Sequence, residues 1–168
     1  MGDDGDDLLG ARSDERTTLT GTLDWYRGVV ENKIHGLGRE DASRSMTPSG
    51  LSQLGVVKHL AWVERGWFQE IYAGRDVEML EGDDDSLEFA IGPGDTVETI
   101  RDFYRAQVSE SRAVTDAAPG LDALSARETP MRGRVSLRWV LVHMIEETAR
   151  HAGHLDLMRE AVDGRVGD

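Results

Sequence analysis

Residues 143–154 read His-Met-Ile-Glu-Glu-Thr-Ala-Arg-His-Ala-Gly-His and hold three of the chain's five histidines beside two adjacent glutamates. Imidazole and carboxylate are ligands for divalent metals, and imidazole also moves protons near neutral pH. On a helix, with 100° and 1.5 Å per residue, Glu147 and His151 stand one turn apart, the spacing that lets two side chains converge on one ion. His143 and His151 stand two turns apart, about 12 Å along the axis, too far to share a metal when each bond is about 2 Å. His154 lies closer to His151 and is a candidate fourth ligand, or a donor that orients a ligand.

Two ligands from one helix do not make a site, so a third must come from elsewhere. His35 falls where a helix should end, beside Gly36, and reads as a surface or capping residue. His59 falls mid-way along a very apolar segment, where it could offer imidazole to a neighbouring helix. Glu64 and Glu70 share that segment and could orient an imidazole. Spacing alone leaves two readings open: a metal site built from His59, Glu147 and His151, or unrelated polar residues on helices.

Composition narrows the chemistry. The 168 residues include no cysteine, which removes disulfides, thiolate zinc sites and a protein thiol nucleophile together. Any metal must be held by imidazole and carboxylate, and any thiol must arrive on a small molecule. A net charge of −13 argues against nucleic acid, whose phosphates call for clustered Lys and Arg. No apolar run approaches membrane-span length, and the acidic start Met-Gly-Asp-Asp-Gly-Asp-Asp is unlike a signal peptide, so a cytoplasmic location is expected.

The elements that must position these residues follow from periodicity. Residues 1–13 are acidic and glycine-rich and are expected to be a disordered tail, with 165–168 a short C-terminal tail. Residues 14–164 are expected to form a single domain. Leu19, Leu23, Tyr26, Val30 and Leu37 predict a first helix over 14–37. Ser52 caps a second, running to Ala73, with Lys58, Arg65 and Gln69 on a narrow side expected to face water. Residues 74–94 read as a long acidic connection, with the run Glu81–Asp85 a solvated loop. Asp95-Thr-Val-Glu spells a capping box for a third helix, which reaches Ala118. A connector follows, and Ser136 caps a fourth helix ending at Gly164. The fold class expected is all-α: a four-helix bundle with long crossover connections.

At these residues the chain resembles the DinB-like superfamily, which shares its four-helix bundle with the N-terminal domain of mycothiol-dependent maleylpyruvate isomerase. The likeness is densest in Pro-Ser-Gly-Leu-Ser-Gln-Leu-Gly-Val-Val-Lys-His-Leu (48–60) and in Leu-Arg-Trp-Val-Leu-Val-His-Met-Ile-Glu-Glu-Thr-Ala-Arg-His-Ala-Gly-His (137–154). Those segments are most similar to a branch common in actinobacteria. The family pattern has one metal-binding histidine mid-way along the second helix and two ligands four residues apart on the last. It falls on His59, Glu147 and His151. Most DinB-like proteins have histidine at all three places; the isomerase branch has Glu-x-x-x-His, as here.

The resemblance implies a divalent metal, zinc first, with nickel, iron or manganese as alternatives, and a low-molecular-weight thiol as co-substrate. The function it implies is a thiol S-transferase or isomerase acting on a small electrophile, with His154 or His143 orienting a ligand or moving a proton. Two further classes stay open: a metal-dependent hydrolase with Glu64, Glu146 or His154 as general base, and a non-catalytic stress or sensing protein. The partners expected are a thiol and an electrophile, with neither nucleic acid nor membrane. The broad apolar helices make a homodimer a further expectation.

Overall fold

The computed structural model describes residues 12–80 and 86–166. In chain order they form α1 (Glu15–Ile34), α2 (Arg39–Ser43), α3 (Gln53–Glu64) with a π-helical extension (Arg65–Tyr72), α4 (Ser86–Phe89), α5 (Val97–Ala117) and α6 (Leu137–Asp163). The four long members make an all-α four-helix bundle, α1 packing chiefly on α6 and α3 on α5. Among the described residues the only extended pairings are two isolated bridges, Leu124 with Ser136 and Thr129 with Gly133. The acidic run 81–85 and most of the N-terminal segment lie outside the described residues.

Three of the four long helices begin as their sequence dictates. Asp14, Ser52 and Ser136 accept the backbone N–H groups of Thr17, Gly55 and Trp139, relieving orphan donors of the first turn. The third cap differs from expectation by one residue. Thr96, not Asp95, closes a reciprocal box with Thr99. Asp95 is drawn off to accept from Gly92 N–H and Lys58 Nζ. The first helix also stops at Ile34 rather than Leu37. Arg159 on α6 donates to the carbonyls of Lys33 and His35 there, satisfying acceptors that a helix end leaves bare.

The expected water-facing side of the second helix instead meets α5 and the crossover. Gln69 is buried and donates to Gln107, Arg65 Nε donates to the same oxygen, and Lys58 reaches Asp95 and the Ala90 carbonyl. Polar groups on α5 and the crossover make this possible, because each buried donor finds an acceptor. Past Glu64 the helix widens, and Ala73 N–H reaches back five residues to the Phe68 carbonyl. Residues 118–136 then lie over the end of that extension, Ala126 N–H and Arg127 N–H donating to the Tyr72 and Ile71 carbonyls.

Two apolar clusters fill the interior. One gathers Val30, Leu54, Val57, Leu60, Ile100 and Leu155; the other gathers Leu23, Phe68, Leu137, Leu141 and Met144. Between α1 and α3 runs a charged tie. Arg27 donates from Nε and Nη2 to the two carboxylate oxygens of Glu64, both at 2.7 Å, and both side chains are buried. Glu64 is therefore committed to Arg27 and orients no imidazole. Glu70 likewise pairs with Arg127.

A candidate metal centre between α3 and α6

Glu147 and His151 lie on adjacent turns of α6, and His59 faces them from α3. Glu147 Oε1 is 3.2 Å from His59 Nε2 and 3.1 Å from His151 Nε2. The three ligand atoms all lie within 4.8 Å of one another. Donors about 2.05 Å from a tetrahedral ion are separated by roughly 3.3 Å, so the two short separations match a metal's own requirement. The side chains are 12%, 13% and 8% exposed, low enough to shield an ion and high enough for a small molecule to reach it.

Both imidazoles present Nε2 to this point and spend Nδ1 elsewhere. His59 Nδ1 stands 2.6 Å from Glu88 Oε2, and His151 Nδ1 stands 3.4 Å from His154 Nδ1. An outer hydrogen bond on Nδ1 is what fixes a metal-binding histidine in the tautomer whose Nε2 lone pair faces the ion. The phenyl ring of Phe89 stacks on His59 with centroids 4.1 Å apart, restricting its rotation. Two imidazoles and one carboxylate fit a divalent ion of borderline softness and leave coordination positions open.

The electrostatics agree. Hydrogen bonds from His151 and then His59 hold the Glu147 carboxyl far below its usual range, outweighing burial. Burial pulls His59 down, yet the carboxylates of Glu147 and Glu88 together raise it above its ordinary value. The pocket thus attracts positive charge at the point the three donors surround. Burial, and then the neighbouring His151, lower the pKa of His154, favouring its neutral form.

The other sequence candidates fall elsewhere. His143 lies in an aromatic box, stacked on Trp139 at 5.1 Å and edge-on to Trp67 at 4.6 Å, and burial lowers its pKa. Its nearest ion-pairing carboxylate is Glu146 at 3.7 Å, not Glu147. Glu146 is exposed and pairs with Arg150. His35 is an exposed helix cap. Glu88 is the site residue that periodicity missed. It sits in the segment 74–94, read as a long acidic connection, on a four-residue helix too short to show a pattern.

Beside the centre lies a cavity of about 460 Å³ lined by Met46, Leu51, His154, Leu157 and Met158. One wall is a tight turn closed by Met46 N–H on the Leu51 carbonyl and by Leu51 N–H on Thr47 Oγ1. His154, on α6, lines this cavity and also makes the hydrogen bond on His151.

The sequence model of the mycothiol S-transferase family matches residues 18–164, nearly the whole described bundle. The chain belongs to that family. Its DinB-like resemblance and its fold agree with the match. A crystal structure titled as a conserved protein of a locus from Enterococcus faecalis superposes with a TM-score of 0.62 at 16% identity, covering 90% of this chain and 99% of that one. That likeness speaks for the fold alone. No curated protein matches the chain. Among the described residues no helix is long and apolar enough to cross a membrane.

Proposed function

We propose that this member of the family is a divalent-metal-dependent thiol S-transferase, joining a low-molecular-weight thiol of the mycothiol kind to a small electrophile. The observation that carries the reading is the convergence of His59 Nε2, Glu147 Oε1 and His151 Nε2 on one point, with both Nδ1 atoms engaged behind them. His59, Glu147 and His151 would hold the ion. A bound divalent cation lowers the pKa of a coordinated thiol until the thiolate, the competent nucleophile, prevails at neutral pH.

The chain's own groups do the rest. With Nε2 of His151 turned to the ion, its Nδ1–H donates to His154 Nδ1, and neutral His154 keeps an Nε2–H. That donor can hold a polar atom of a substrate in the adjoining cavity, whose remaining walls are mostly apolar. An apolar electrophile of modest size suits those walls. Arg150 stands 3.4 Å from Glu147 on the other side, a cation at the rim for a polar thiol carrier. Zinc is the metal proposed first, since imidazole and carboxylate suit it.

A hydrolase built on the same centre would need a general base. Glu64 is committed to Arg27 and Glu146 to Arg150, which leaves His154. The deciding experiment measures metal content by mass spectrometry for wild type, His59→Ala and His151→Ala, then titrates the loaded protein with mycothiol by calorimetry. About one ion per chain, lost in both variants, together with thiol binding, is the expected result. Loaded protein that ignores the thiol but hydrolyses esters unaided would make the hydrolase reading correct.

A further inference from the structure

The crossover between the π-helical extension and α5 packs against α3 at residues 86–90. There two consecutive side chains act on one imidazole: Glu88 Oε2 lies 2.6 Å from His59 Nδ1, and the Phe89 ring covers the face of His59 at 4.1 Å. The turn is anchored one residue further on, where the Ala90 carbonyl accepts from Lys58 Nζ at 2.8 Å. Lys58 is itself held by Asp95 at 2.9 Å. Beneath the turn, a Cβ placed on Gly55 would stand 2.5 Å from the Phe89 carbonyl oxygen. Such a separation is well inside van der Waals contact, so glycine at this place is what lets the turn seat on α3.

Glu88 is placed where a carboxylate can choose the tautomer of His59. Its oxygen is closer to Nδ1 than Glu147 Oε1 is to Nε2, 2.6 against 3.2 Å, and Glu147 divides that same oxygen between two histidines. In the neutral ring the proton therefore belongs on Nδ1, with the Nε2 lone pair turned toward Glu147 and His151.

We infer that the turn 86–90 is a positioning device for the centre: Glu88 fixes the tautomer and tilt of His59, and Gly55 is the gap that seats it. The inference rests on the metal reading for its consequence, but the tautomer itself can be observed without any ion.

The test uses full-length protein with the substitutions Glu88→Ala, Glu88→Gln and Gly55→Ala. Zinc affinity, measured by competition with a chromophoric chelator, should fall about 10–100-fold in Glu88→Ala, the usual loss when an outer hydrogen bond to a ligand is removed. Glu88→Gln keeps an acceptor oxygen and should recover part of that loss. Gly55→Ala should weaken zinc like Glu88→Ala, because the turn is pushed off its seat. In metal-free protein at alkaline pH, nitrogen-15 NMR of His59 should show the Nδ1–H form in wild type and the Nε2–H form in Glu88→Ala. A role confined to packing would not move that signature. The same tautomer in both proteins would overturn the inference, as would a wild type that binds zinc with an affinity unchanged in Glu88→Ala. Wild-type protein that ignores zinc, with the tautomer still switching in Glu88→Ala, would sink the metal reading and leave the positioning role standing.

Discussion

Replacing Glu64 by leucine separates its buried ion pair with Arg27 from the imidazole-orienting role expected of it from the sequence. If Glu64 is half of a buried ion pair, Glu64→Leu strands Arg27, which is 6% exposed and whose Nε and Nη2 both donate to Glu64 at 2.7 Å. Asp24, at 2.8 Å from Nη1, offers partial relief but is itself shared with Arg112. Breaking a buried pair from one side costs about 3–5 kcal/mol, because an uncompensated charge stays in a poorly polarisable interior. For a chain of this length each kcal/mol lowers the melting temperature by about 2–4 °C, so a fall of roughly 6–20 °C is expected. Removing both partners, Arg27→Met with Glu64→Leu, should restore most of it, since a well-packed apolar pair replaces a desolvated ionic one. The assay is urea denaturation of wild type, both single variants and the double, read as a double-mutant cycle. A coupling energy above about 2 kcal/mol, with zinc affinity unchanged in Glu64→Leu, is the expected result. The reasoning is refuted if Glu64→Leu melts like wild type, or if it loses zinc while keeping its stability.

The pH response of the centre has a definite sign. His59 is raised above its ordinary 6.5 in metal-free protein, so its pairing with Glu147 and Glu88 contributes stability that is fully present below that value. The contribution is lost as pH rises through the folded pKa, whereas zinc needs the neutral ring. Zinc should therefore add more to the melting temperature at about pH 8 than at about pH 6, and scanning calorimetry with zinc and with chelator checks it. Leu157 is 70% exposed on the cavity wall, so Leu157→Asp should leave zinc affinity and melting temperature nearly unchanged. The same variant should weaken turnover of apolar electrophiles by about fourfold per methylene of lost contact, read as kcat/KM along an alkyl series. Alanine at Gly74, which has φ +68° and where a Cβ would stand 2.7 Å from Ala126 Cβ, should cost more than about 1 kcal/mol in urea denaturation.

By itself the sequence determined the four long helices and one half of the candidate site. Caps at Ser52 and Ser136, glycine at 164 in the left-handed conformation, and apolar residues recurring each 3.6 positions are local physics, and the structure follows them. The pairing of Glu147 with His151 is equally local, since four residues make one turn whatever surrounds the helix. Where His59 falls against them, and what lies behind it, belongs to the tertiary structure. Helix packing brings α3 to α6, and spacing within one chain segment says nothing about which helix becomes the neighbour. The same limit explains the errors. Lys58, Arg65 and Gln69 look like a wet face until α5 and the crossover supply Gln107 and Asp95. Glu64 looks free until α1 supplies Arg27. Glu88 looks like one more acid in a long acidic connection until Gly55 lets the turn settle on His59. A polar side chain has no fixed role in the sequence because its free energy depends on the partner it meets once buried, and only the fold chooses that partner.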